Sequence, residues 1–285
     1  MVNNVELFYE TTGSGERLVL VHGSWGDARS WDSVVAPLAE RFEVVTWDRR
    51  GHSRSKDGAG PGSLRQDAED LAALIEHLGG SPVHLVGNSY GAAVTLTLAA
   101  ARPDLVASAA VHEPPLFALL EDVGGDTAAE LAATGRAIAG VVELLEAGKN
   151  TAGARQFVET VALGPGMWER FGETERETFV RNAPTWLDES RDPAGLSLDA
   201  AALASCDVPL LLTYGTESPL AFSAVVDQLT ILAPTMEVRV LDGAGHVPQR
   251  THPDALVAVL FAFDDQLGVV DEGRGGDEST KETQR

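Results

Sequence analysis

Residues 83–92 read Val-His-Leu-Val-Gly-Asn-Ser-Tyr-Gly-Ala, and this stretch decides the fold class. The apolar run 83–86 predicts a buried strand, and the alanine- and leucine-rich run 91–101 predicts a helix. Between them, Gly87-Asn88-Ser89-Tyr90-Gly91 forms a G-x-S-x-G pattern that holds a serine on a tight strand-to-helix turn. The flanking glycines allow strand and helix to approach closely. We therefore interpret Ser89 as a nucleophile; the alternative is a glycine-rich turn with a helix-capping serine.

The rest of the chain alternates strand and helix patterns around this stretch. Short apolar or β-branched runs that end in turn residues predict further strands at 5–10, 17–21, 42–47, 106–111, 209–214 and 236–241. Helical periodicity falls at 64–78 and at 253–267. This alternation predicts an α/β fold, with a mostly parallel central sheet flanked by helices.

One long segment interrupts the alternation. Residues 114–207 are rich in helical patterns and contain no clear strand, so we expect a helical lid inserted into a core domain made of 1–113 and 208–270. Residues 271–285 are polar and charged, which predicts a disordered tail.

Composition excludes several classes of function. The 43 acidic residues outnumber the 21 basic ones, and the formal net charge of −22 disfavours binding to nucleic acid or to an anionic membrane surface. No apolar run reaches the length of a membrane span, and no secretory signal pattern is found at 1–10. The single cysteine, Cys206, fits a reducing compartment. We expect a cytoplasmic protein that acts on a small-molecule substrate. The sequence leaves open whether the protein forms a homo-oligomer.

A nucleophilic serine needs a general base, and seven histidines are available. His246 lies in Gly243-Ala244-Gly245-His246-Val247-Pro248, a loop after the last predicted strand, and this position suits a base. The other six histidines fit structural or surface roles at strand ends, loops and helices: His22, His52, His77, His84, His112 and His252. No cluster with metal-ligand spacing and no phosphate-binding or dinucleotide-binding loop is present, so no metal or cofactor is expected.

Together these motifs resemble the lid-bearing α/β-hydrolase superfamily over residues 5–267. The resemblance rests on His22-Gly23, the segment 48–55, the turn at Ser89 and the Gly245-His246 loop. It implies an oxyanion hole built from the backbone amides of Ser24 and Tyr90. It also implies a structural role for the 48–55 segment. Three tryptophans are candidates for the substrate pocket: Trp25, Trp168 and Trp186.

The acid that completes a triad is harder to place. Relatives commonly carry it three residues beyond the glycine that ends the 209–214 strand, and Ser218 occupies that position here. Glu217 is one residue early. Some relatives instead place the acid about two dozen residues after the nucleophile, and Glu113 stands there, directly after the 106–111 strand. We favour Glu113 and keep Glu217 as the alternative.

Serine, histidine and carboxylate together indicate acyl transfer to water through an acyl-enzyme. We expect a carboxylic ester or lactone of a small to medium, largely uncharged metabolite as substrate. Epoxide hydrolase and haloalkane dehalogenase activities are disfavoured, because the resemblance implies an aspartate where this chain has Ser89. Three alternatives remain: carbon–carbon bond hydrolysis on an aromatic or polyketide-like metabolite, haloperoxidase or perhydrolase chemistry, and a slow or non-catalytic ligand receptor.

Overall fold

A computed structural model describes residues 1–57 and 62–275, and its centre is a seven-stranded sheet. The strands are β1 (Tyr9–Gly13), β2 (Glu16–Val21), β3 (Phe42–Trp47), β4 (Val83–Asn88), β5 (Val106–His112), β6 (Leu210–Gly215) and β7 (Glu237–Leu241). Their order across the sheet is β1-β3-β2-β4-β5-β6-β7. β1 pairs antiparallel with β3, and every other pair is parallel. The predicted mostly parallel sheet is confirmed.

Eleven α-helices accompany the sheet within the described residues. They are α1 (Asp32–Leu38), α2 (Leu64–His77), α3 (Tyr90–Ala101), α4 (Gly125–Glu146), α5 (Asn150–Phe157), α6 (Met167–Arg170), α7 (Glu173–Glu189), α8 (Ala200–Ala204), α9 (Leu220–Leu232), α10 (Pro248–Thr251) and α11 (Pro253–Gly275). Short 3-10 and π turns connect some of them.

Helices cover both faces of the sheet. Successive side chains of a strand point to opposite faces, so each strand contributes to both. In β2, Leu18 and Leu20 belong to a hydrophobic cluster that includes residues of α1 and α11, whereas Val19 and Val21 belong to a cluster that includes residues of α2, α3 and α9. All four side chains are almost completely buried. The inner strands therefore read as continuous apolar runs.

The chain leaves the sheet after β5 and returns at β6, and α4 to α8 lie between these strands. Helices α4, α5, α6 and α7 share a separate hydrophobic cluster that contains Trp25, Trp168 and Trp186. The predicted helical insertion is confirmed. In the part of the chain that the structure describes, no helix is both long and apolar enough to cross a membrane.

Two boundaries differ from the predictions. The first strand begins at Tyr9 rather than at residue 5. Val5 and Leu7 are apolar and buried in the core without belonging to the sheet, whereas β1 is an edge strand with mostly exposed side chains. The last helix continues beyond 267 to Gly275 and includes the first five residues of the tail predicted to be disordered. The rest of that tail, 276–285, lies outside the described residues.

Candidate active site

Ser89 stands on a sharp turn between β4 and α3. Its backbone adopts φ 56° and ψ −125°, a region that residues with a side chain rarely occupy. A Cβ on Gly91 would lie 2.2 Å from the carbonyl oxygen of Val21, and one on Gly87 would lie 2.4 Å from the carbonyl oxygen of Gly91. Both positions therefore require glycine. The turn places Ser89 at the carboxyl end of the parallel strands.

Ser89, His246 and Glu113 form a continuous hydrogen-bonded chain. Nε2 of His246 lies 2.9 Å from Oγ of Ser89, and Nδ1 lies 2.7 Å from Oε2 of Glu113. Glu113 directly follows β5, and His246 lies in the loop between β7 and α10. The carboxylate accepts from Nδ1–H, which leaves Nε2 free to accept the hydroxyl proton of Ser89.

The Glu113 carboxylate is completely buried and held on both oxygens. Oε1 accepts from the backbone N–H of Gly215 at 2.8 Å, and Nε2 of His112 lies 3.4 Å from the same oxygen. Burial alone raises the pKa of Glu113, but the hydrogen bond to His246 and the nearby imidazoles outweigh it, and the pKa is lowered to about 2. The group is therefore a carboxylate at neutral pH.

The alternative acid, Glu217, is not brought to this chain of hydrogen bonds. Its side chain is exposed, and among the described residues its carboxylate has neither a hydrogen bond nor an ion pair. Its backbone N–H donates to the carbonyl oxygen of Ala244 at 2.9 Å, which holds the backbone of this loop against the chain just before His246.

Three neighbours hold the His246 loop in place, and sequence reasoning missed all of them. Asn88 donates through Nδ2 to the carbonyl oxygen of His246 at 2.9 Å, and its Oδ1 accepts from Gln249 Nε2 at 3.1 Å. The ring of Phe222 stacks on the imidazole at 4.4 Å between centroids and 23° between planes. Asn88 lies inside the G-x-S-x-G pentapeptide, but no local signal marks Gln249 or Phe222.

Ser24 lines both cavities together with Ser89, and Tyr90 follows Ser89 directly in the chain. Tyr90 is the first residue of α3, so its N–H has no partner in the helix. Within the described residues neither amide donates a hydrogen bond to a protein group. A Cβ on Gly23 would lie 3.0 Å from Cβ of Ser89, which shows how closely the loop before Ser24 approaches the serine. The oxyanion hole at Ser24 and Tyr90 therefore stays a prediction, and both amides are free of protein partners within the described residues.

The insertion holds the loop that contains Ser24. Trp25 has a left-handed φ of 67°, and the fully buried side chain of Asn182 on α7 secures this conformation. Asn182 Nδ2 donates to the carbonyl oxygens of Trp25 at 3.0 Å and Gly26 at 2.8 Å, while its Oδ1 accepts from the N–H of Ser53 at 2.9 Å. Sequence reasoning did not identify Asn182.

Two cavities meet at Ser89 and His246. The smaller has a volume of about 90 Å³ and leads toward Arg250. The larger has a volume of about 280 Å³, runs beneath the insertion, and has mostly apolar walls that include Phe117, Phe157 and Phe222. Cavities of this kind suit a substrate whose scissile group lies at the junction.

Of the three tryptophans predicted to line the pocket, only Trp186 does so. The prediction is wrong for Trp25 and Trp168, which line neither cavity at Ser89. The Trp25 ring turns into the aromatic cluster of the insertion, 4.9 Å from the ring of Phe157. Trp168 packs in the same cluster against Phe179. Both support the cavity wall from behind.

One group of three potential metal ligands is found in the described part of the chain, and it lies elsewhere. Glu16, His84 and Asp264 bring ligand atoms within 4.8 Å of one another. Glu16 and His84 stand toward the amino ends of β2 and β4, whereas Ser89 follows the carboxyl end of β4. This group shares no residue with the Ser89 site.

Comparison with known proteins identifies the family. Residues 18–259 match the model of the alpha/beta hydrolase family. The chain belongs to this family. The uncharacterized hydrolase YraK of Bacillus subtilis is 36% identical over 121 residues, which is 42% of this chain and 45% of that protein. The chain covers less than half the length of this relative and of a second curated relative, at 45% and 40%.

Two further similarities extend over most of the chain. A pimeloyl-(acyl-carrier protein) methyl ester esterase of Sodalis glossinidius is 30% identical over 277 residues, covering 91% of this chain and 98% of that protein. An epoxide hydrolase of Bacillus megaterium has a TM-score of 0.76 at 21% identity, covering 93% of this chain and 99% of the other. At that identity the structural likeness shows the fold alone.

Proposed function

We propose that this alpha/beta hydrolase is a serine hydrolase that cleaves a carboxylic ester or lactone through an acyl-enzyme. The hydrogen-bonded chain from Glu113 through His246 to Ser89, which opens onto two cavities, carries this proposal. Ser89 is the nucleophile, His246 the general base, and Glu113 the acid that orients the imidazole and stabilises its cation.

The reaction follows from these three side chains. His246 Nε2 takes the hydroxyl proton as Ser89 Oγ attacks the substrate carbonyl carbon, and the charge that develops on the carbonyl oxygen is met by the amides of Ser24 and Tyr90. His246 then gives the proton to the leaving alcohol as the carbon–oxygen bond breaks. Water repeats the sequence on the acyl-enzyme and releases the acid.

Ester chemistry has two supports. The Sodalis relative, similar over nearly its full length, is by name a methyl ester esterase. The nucleophile position holds Ser89, whose ester intermediate can be hydrolysed by a second use of the same histidine. The apolar walls of the large cavity favour a small to medium acyl group that is largely uncharged.

The insertion acts as a lid in this proposal. Its helices roof the large cavity, and Phe157, Val161 and Trp186 contribute to the wall beside Ser89. Excluding water from the cavity strengthens the hydrogen bonds that stabilise charge at the oxyanion. Pocket specificity accordingly depends on the insertion more than on the sheet.

Steady-state hydrolysis of p-nitrophenyl esters tests the proposal. We expect turnover of acyl chains of two to eight carbons, and a loss of at least about 1,000-fold in kcat for Ser89→Ala. Ser223→Ala, which removes an exposed hydroxyl bonded to the Leu220 carbonyl on α9, is the matched control and should retain wild-type turnover. A folded protein without turnover on the whole panel would contradict the proposal.

A further inference from the structure

The wall of the large cavity contains more acidic than basic side chains. Two carboxylic side chains, Glu130 and Glu189, contribute to its lining together with the hydroxyls of Thr134 and Ser190. In the described residues, no lysine or arginine lines this cavity. The small cavity differs, because Arg250 lies in its wall. The two spaces that meet at Ser89 therefore offer different electrostatic environments.

Glu189 belongs to a buried cluster with more acids than bases. Nη1 of the fully buried Arg49 donates to Oε1 of Glu189 at 2.7 Å and to Oδ2 of Asp67 at 2.6 Å. One guanidinium thus serves two carboxyl groups. Oε2 of Glu189 is buried and has no hydrogen-bond partner among the residues that the structure describes. This oxygen has a hydrogen-bonding capacity that the protein leaves unused.

The other polar neighbours supply no second positive charge. His22 and His52 are buried beside Arg49, and burial is the main reason that their pKa values lie below the usual range, to about 4 for His22. The Tyr90 ring lies against the Arg49 guanidinium, with 4.4 Å between Cζ and the ring centroid, and adds no positive charge. The cluster therefore carries excess negative charge or holds a proton on Glu189.

Glu130 stands elsewhere in the cavity wall and already has partners. Its two carboxylate oxygens accept from the backbone N–H groups of Leu220 at 3.2 Å and Ala221 at 2.9 Å, at the start of α9. Glu130 thus adds negative charge to the wall but has less capacity left for a ligand. Glu189, which also lines the cavity, keeps more capacity, because its buried Oε2 has no hydrogen-bond partner among the described residues.

We propose that the large cavity receives an apolar acyl group that carries a hydroxyl donor for Glu189, and that it rejects a group that carries a carboxylate. A hydroxyl satisfies the free oxygen of Glu189 in either of its protonation states, because a hydroxyl both donates and accepts. A carboxylate would lose its hydration in an apolar cavity whose wall, in the described part of the chain, contains two acids and no lysine or arginine. The inference rests on the proposed function for its kinetic readout.

Matched p-nitrophenyl esters test the inference on the wild-type protein. Acyl chains of six and of eight carbons end in methyl, hydroxyl or carboxylate, so that only the terminal group changes. We expect the carboxylate esters to have kcat/KM at least about 100-fold below that of the methyl esters. At one of the two lengths, the hydroxyl ester should equal or exceed the methyl ester. Equal kcat/KM for carboxylate and methyl esters would overturn the inference.

Glu189→Gln tests the named side chain. We expect the ratio of kcat/KM for hydroxyl over methyl ester to fall about tenfold, and the penalty on the carboxylate ester to shrink by a similar factor. Asp188→Asn removes a charge at the neighbouring, half-exposed position and should leave both ratios unchanged. Unchanged ratios in a folded Glu189→Gln variant would also overturn the inference.

Binding without turnover separates this inference from the proposed function. Tryptophan fluorescence, with Trp186 in the cavity wall, reports binding of 1,6-hexanediol, 1-hexanol and hexanoate even if no ester is hydrolysed. We expect the diol to bind at least as tightly as hexanol, with the diol's advantage reduced in Glu189→Gln. Binding in that order without ester turnover would contradict the proposed function alone. Tighter binding of hexanoate than of hexanol in the large cavity would contradict the inference alone.

Discussion

Replacing Glu113 with glutamine is expected to reverse the donor and acceptor roles of His246. The N–H of Gly215 donates to Oε1 at 2.8 Å, so the amide oxygen of a glutamine would take that place. Its NH₂ group would then face Nδ1 of His246, which lies 2.7 Å from Oε2 in the wild-type protein. Nδ1 must become an acceptor, and the ring proton moves to Nε2. In that tautomer Nε2 cannot accept the proton of Ser89.

This wrong tautomer, together with loss of the negative charge beside the imidazolium, lowers kcat. For a triad of this kind we expect a fall of about 1,000- to 10,000-fold, equivalent to about 4 to 5.5 kcal/mol of transition-state stabilisation. KM should change little, because Glu113 is buried behind His246 and lines neither cavity at Ser89. The assay is steady-state hydrolysis of a p-nitrophenyl ester, with circular dichroism to verify folding.

Glu217→Gln is the matched control, since Glu217 is the other acid that the sequence offers. Its side chain is exposed, so the variant should keep kcat within about twofold of the wild type. A folded Glu113→Gln enzyme with more than a tenth of wild-type kcat would refute the reasoning. So would a loss of activity confined to Glu217→Gln.

Three further predictions concern the scaffold of the site. Gly91→Ala forces a Cβ to within 2.2 Å of the Val21 carbonyl oxygen, so thermal unfolding should show a loss of about 3 kcal/mol or more, and a wild-type melting temperature would contradict the packing of the turn. Asn182→Ala frees the Trp25 loop and should lower kcat about tenfold with little change in KM; an effect confined to KM would contradict a positioning role. Glu113 has a pKa lowered from 4.5 to about 2, so the unfolded chain takes up its proton first as the pH falls below 4.5. Denaturant titration should therefore show that stability falls between pH 5 and pH 3 by about 2 kcal/mol more in the wild type than in Glu113→Gln, and equal losses would contradict the shift.

The sheet was predictable because its inner strands are buried on both faces. Their apolar runs stand out from the turns that follow, and β3 at Phe42–Trp47 matches its predicted bounds. β1 was misplaced because an exposed edge strand need not be apolar, whereas Val5 and Leu7 are apolar and buried without belonging to the sheet. A hydrophobic run indicates that residues are buried. It indicates a strand only where the buried residues also belong to the sheet.

At the site, position along the chain was informative wherever a residue follows a strand. Ser89, Glu113 and His246 each follow a strand of the parallel sheet, so topology alone brings them to one edge. Asn182 and Glu189 lie within α7 and do not follow a strand, so their positions in the sequence give no such indication. Their partners, Ser53 and Arg49, lie 129 and 140 residues away, and only the packing of α7 on the core brings them together.

The orientation of large side chains was equally beyond the sequence. Trp25 immediately follows Ser24, yet its backbone φ of 67° and its stacking on Phe157 turn the indole away from Ser89. A left-handed tryptophan has no local sequence signal, because the conformation is imposed by hydrogen bonds from Asn182 on a distant helix.

Mass spectrometry after treatment with a fluorophosphonate tests the central claim, that Ser89 is an activated nucleophile, most directly. We predict one covalent adduct per chain, assigned by peptide mapping to Ser89, and formed at least about 100-fold more slowly in Glu113→Gln because His246 then cannot accept the proton. Labelling of another residue, or no labelling of the folded wild-type protein, would contradict the claim.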